Sequence, residues 1–149
     1  MDEIESLVRA FEDGTLPRAR WTHRAHLTMG MWYLMRLPAP VAAERIVTGI
    51  QRYNAAVGVL QTPTGGYHET ITQFYIWLIR RFLSTADRSR PLAELSDELF
   101  RVHGGPNVAL AYYSRERLMS WEARTDWLEP DLKPLEAIAE FASADPPAP

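Results

Sequence analysis

Three of the four histidines in this 149-residue chain stand in two short stretches, WTHRAHL at 21–27 and GGYHETIT at 65–72. His23 and His26 are three apart, a spacing that turns both imidazoles toward one partner on a helix. Two neutral imidazoles so placed suit a divalent transition metal. The plainer alternative is a helix start with one exposed histidine and one bonded to a backbone carbonyl. His68 and Glu69 are adjacent, about 100° apart on a helix, so both cannot face one centre equally well. With Gly66 as the cap, Glu69 falls where a carboxylate reaches back to the cap's N–H. A positive helix end disfavours a charged His68, which leaves it a neutral ligand or base. HETIT is not H-E-x-x-H, because Thr72 replaces the second histidine, so the zinc-protease pattern is absent.

These residues need elements to carry them, and the hydrophobic spacing reads as helix almost throughout. Asp2 and Glu5 make a first-turn cap ahead of the stripe Ile4, Leu7, Val8 and Phe11, and Gly14 ends that helix. Thr22 caps a second helix over about 22–36, closed by Pro38. Pro40 sits in the first turn of a third, about 40–57. A fourth, Tyr67 to Thr85, is apolar nearly all round and therefore central. Trp32 and Trp77 are expected to be core residues of the two central helices. Pro91 opens a fifth helix, which HGGPN at 103–107 stops. Ser114 caps a sixth, reaching about Arg124. The proline-punctuated LEPDLKPLEAIAEF ends in one short helix, and the tail from about residue 143 is mobile. The expectation is a single all-α domain over 1–149, an up-and-down bundle of five to six helices.

In such a bundle helices two and four run parallel, so His23, His26 and His68 are expected at one pole. His103, four after Leu99, ends helix five near that pole, although a C-terminal cap explains it equally. Arg24, His103, Tyr113 and Arg117 are the candidate walls of a substrate pocket. The chemistry expected is a divalent metal (Fe, Mn, Zn or Ni) on His23, His26 and His68, with Glu69 as general base, in a metal-dependent enzyme of hydrolase or oxygenase type. The alternatives are a non-catalytic module for an anionic ligand at the helix N-termini and a structural or homodimerising bundle.

Composition narrows the partners. There is no cysteine, so disulfides and thiolate chemistry are excluded. A net charge of −3 with mixed signs argues against nucleic acid, and PRAR at 17–20 reads as a solvated loop. No apolar run reaches the ~18–20 residues needed to span a bilayer, and no signal peptide is visible, so a cytoplasmic setting is expected.

Overall fold

A computed structural model describes residues 2–138. Among them are seven α-helices and no strand: α1 Glu3–Asp13, α2 His23–Arg36, α3 Ala39–Ala56, α4 Glu69–Thr85, α5 Leu92–His103, α6 Arg115–Leu118 and α7 Trp121–Thr125. Local chemistry accounts for most boundaries. The Asp2 carboxylate accepts the Glu5 N–H at 2.7 Å and caps α1. Gly14 closes that helix in the left-handed region at φ 73°. Thr22 accepts the Ala25 N–H at the start of α2. Pro38 and Pro91 precede α3 and α5, whose first N–H groups need no helical partner. PRAR forms an exposed single turn at Arg18–Arg20.

Two apolar clusters hold these elements. The larger joins α1 to α5 through Val8, Phe11, Met31, Ile46, Tyr53, Ile79, Leu95 and Leu99. The smaller wraps Phe74 and Leu78 of α4 with Tyr112, Tyr113 and Leu118. Helix directions follow from contacts. His23 meets Tyr75, while Gly30, seven residues on, packs on Ile79, so α2 and α4 advance in the same sense. Arg24 meets Asp97 and Phe100, whereas Thr28 bonds Ser96 at 2.7 Å, so α2 and α5 oppose each other.

Three expectations need correction. The sixth helix is two pieces, because the Ser120 hydroxyl accepts the Ala123 N–H and starts α7 afresh. Trp32 and Trp77 are half-buried rather than core: Arg36 lies over the Trp32 ring at 4.2 Å, and the Trp77 indole donates to the Glu136 carbonyl at 2.9 Å. The stretch 127–138 carries no helix. The remainder of that segment and the tail from about residue 143 lie outside the described residues.

Candidate functional site: a cavity beside His23 and His26

Between α2, α3 and α4 lies a cavity of about 350 Å³. Its walls are mainly aliphatic: Leu27, Met29 and Gly30 from α2, Ile46 and Ile50 from α3, and Ile71, Ile76 and Ile79 from α4. Four polar side chains join them, His23, His26, Thr72 and Tyr75. Such a volume, with an apolar wall and few polar groups, is at the small end of ligand pockets.

His26 is held by a hydrogen bond and a ring stack. Its Nδ1 lies 2.7 Å from the Thr22 carbonyl. A carbonyl only accepts, so Nδ1 carries the proton and Nε2 keeps the lone pair in the neutral ring. The ring stacks on Trp21 at 3.8 Å between centroids, and Trp21 in turn stacks on Phe11 of α1 at 4.7 Å. Burial pushes the imidazole below its ordinary value; the Thr22 carbonyl opposes that push, and the neighbouring His23 adds to it. His23 is also pushed down by burial. Its ring meets Tyr75 edge-on at 5.2 Å, and its buried Nε2 has no hydrogen-bond partner among the described residues. A buried polar atom left in that condition costs about 1–3 kcal/mol.

The Thr72 hydroxyl donates to the His68 carbonyl at 2.7 Å and lies beside the Tyr67 hydroxyl. Tyr75 keeps its phenol proton to higher pH than usual, because burial disfavours the phenolate. Both residues stand on the stripe Ile71, Tyr75, Ile79, or beside it.

His68 is not brought to this cavity. It is the N-cap of α4, in extended backbone, and so precedes the stripe rather than continuing it. Its Nδ1 accepts the Ile71 N–H at 3.1 Å, which leaves the proton on Nε2, and that donates to the Leu118 carbonyl at 2.7 Å. Both ring nitrogens are thus engaged inside the protein. The parallel alignment of α2 and α4 holds, but the register is offset: His23 is level with Tyr75, seven residues past His68, or ~10 Å along the helix.

The remaining candidates also lie elsewhere. Glu69 is the first residue of α4, not a third-position cap residue behind Gly66. Its carboxylate accepts from the Tyr67 hydroxyl and from Gln73 Nε2. Arg24 pairs with Asp97 on the α2–α5 surface. His103 ends α5 against Phe82, ring centroids 6.1 Å apart. Tyr113 is fully buried and donates to the Leu128 carbonyl at 2.7 Å; Arg117 Nε donates to the Glu129 carbonyl at 2.7 Å. None of these lines the cavity. Among the described residues, no group of three or more His, Asp or Glu side chains stands where one ion could be held.

The sequence reading missed Trp21, Thr72 and Tyr75. Tyr75 carried a signal, being four residues from both Ile71 and Ile79 on the α4 face that meets α2. It also missed Thr70 and Arg124, which tie α4 to the C-terminal segment. Thr70 Oγ1 donates to the Asp126 carbonyl, and the buried Arg124 Nη1 donates to the Gly66 carbonyl. No helix among the described residues is long and apolar enough to cross a membrane. Comparison with protein-family models, curated proteins and solved structures yields no significant match.

Proposed function

We infer that the chain binds a small, largely aliphatic molecule in the cavity between α2, α3 and α4. The observation that carries this reading is the composition of the wall: eight apolar positions around about 350 Å³, with two oriented neutral imidazoles set into one side. An aliphatic molecule there would be withdrawn from water at roughly 25 cal/mol per Å² of its surface. A metal centre on His23, His26 and His68 is less well supported, because only the first two share the cavity. Glu69 as its base fares no better, since its carboxylate is engaged by Tyr67 and Gln73. The anionic-ligand alternative finds no cation in the wall among the described residues and meets neutral imidazoles instead. A second reading, acid–base turnover of the bound molecule, is favoured by the unprotonated His26 Nε2, which has the chemistry of a general base. The reading includes a cytoplasmic setting on composition alone, since a cysteine-free chain calls for no oxidising compartment.

Octanol is a suitable probe, being mostly aliphatic with one polar end. It should raise the thermal midpoint of the wild-type protein saturably, by an amount equivalent to about 2.7 kcal/mol at a hundredfold excess over Kd. Ile71→Trp, which places a larger side chain at the wall, should abolish the rise. No saturable rise, or an equal rise in Ile71→Trp, would remove the cavity from the account.

A further inference from the structure

We propose that the ligand's polar end is a neutral hydrogen-bond donor, a hydroxyl or an N–H, and that His26 Nε2 is the acceptor that selects it. The inference rests on the cavity being a ligand site, and it specifies what that ligand must carry.

The protons around the cavity are already partly allotted. His26 has committed its proton to the Thr22 carbonyl at 2.7 Å, so Nε2 is the nitrogen it can offer. Thr72 is occupied within α4's first turn, donating to the His68 carbonyl at 2.7 Å and lying beside the Tyr67 hydroxyl. Of the four polar side chains, His26 is therefore the one fixed as an acceptor. Tyr75 and His23 can each act either way, through a rotatable hydroxyl and a choice of tautomer. A ligand bearing only acceptors could take a proton from Tyr75 or His23 but would leave the His26 Nε2 lone pair desolvated and unpaired. A donor satisfies it.

Charge points the same way. Among the described residues no Asp or Glu lines the cavity, so an alkylammonium would be desolvated without a counter-ion. No Lys or Arg among the described residues lines it either, so a carboxylate would fare equally badly. A neutral donor on an aliphatic body is the class that remains. The stack Phe11–Trp21–His26 holds the imidazole plane and so fixes the direction from which the donor must approach. A clamped acceptor loses little side-chain freedom on binding, which favours affinity.

The experiment is a binding series on the wild-type protein by calorimetry. Its four probes are octanol, heptyl methyl ether of the same heavy-atom count, octanoate and octylammonium. Octanol should bind about tenfold tighter than the ether, in line with one net hydrogen bond, and the two ions should bind more weakly than either. In His26→Phe, which keeps an aromatic ring beside Trp21, octanol should lose its advantage over the ether. A parallel readout needs no variant: the His26 Nε2 nitrogen-15 resonance should move on adding octanol and stay put on adding the ether. Equal affinity for octanol and ether would overturn the donor inference while leaving the cavity as a ligand site. So would an advantage that persists in His26→Phe, or an unmoved Nε2 resonance. If none of the four probes binds, the ligand-site reading itself falls, and this inference with it.

Discussion

His68→Ala is expected to lower the stability of the protein by about 2–4 kcal/mol and to leave octanol affinity within twofold of wild type. Two losses add up to that figure. The cap on the Ile71 N–H disappears, worth about 1 kcal/mol. The Leu118 carbonyl also loses its donor where the His68 ring is buried, worth about 1–3 kcal/mol. His68→Asn separates the two. Asn is a good N-cap, but its side chain is too short to bridge to α6, so it should recover roughly 1 kcal/mol. Chemical denaturation of the three proteins, with octanol titrations on the same samples, checks both halves. A His68→Ala protein that keeps its stability but loses octanol binding would place His68 in the ligand site after all.

Acid should destabilise the fold over a window set by its histidines. Burial lowers the imidazoles of His23, His26, His68 and His103 below their ordinary value. The unfolded chain therefore binds more protons than the folded one below about pH 6.5. Stability is fully present above that pH and is lost progressively as pH falls from there toward the folded values. Asp87, Glu98 and Asp131 are held below the usual carboxylate range by hydrogen bonds to Ser89, Arg90 and Ser114 respectively. They act only lower down, from about pH 4. The thermal midpoint should be flat from about pH 8 to 7, fall as pH drops below about 6.5, and fall further below about 4. His68→Asn, with one titrating group fewer, should show a shallower first limb. A midpoint independent of pH down to about 5 would contradict the buried, neutral imidazoles on which the site rests.

Most of the helices were legible because their ends are written in local chemistry. Asp2, Gly14, Thr22, Pro38, Pro91 and Ser114 act within three or four residues of themselves, so no tertiary knowledge is needed to read them. The pairing of His23 with His26 was legible for the same reason. The break at Ser120 was harder, since a serine inside an apparent helix reads equally as a solvent-facing residue or as a new cap. In the structure Leu118 is buried with Phe74 and Tyr113, and Ser120 acts as the new cap.

Register was the quantity the sequence did not carry. A parallel pair of helices can slide by whole turns without changing either hydrophobic stripe. The two turns that separate His68 from His23 decide whether there are three imidazoles in one place or two. What sets the slide is the docking of α4's N-terminus on the C-terminal segment. That docking depends on Thr70 with Asp126, Arg124 with Gly66 and His68 with Leu118, contacts at least 50 residues apart in sequence. The cavity was illegible for a related reason, since it lies where three helices fail to meet fully, and no single stripe records that.

The central claim is that the cavity beside His23 and His26 is a ligand site and that His68 and His103 stand apart from it. The most direct measurement is the nitrogen-15 spectrum of the four histidines during titration with octanol. The His23 and His26 resonances should move together and saturate, while those of His68 and His103 stay where they were. Resonances of His23 and His26 that remain still while the others respond, or four that drift together without saturating, would contradict that claim.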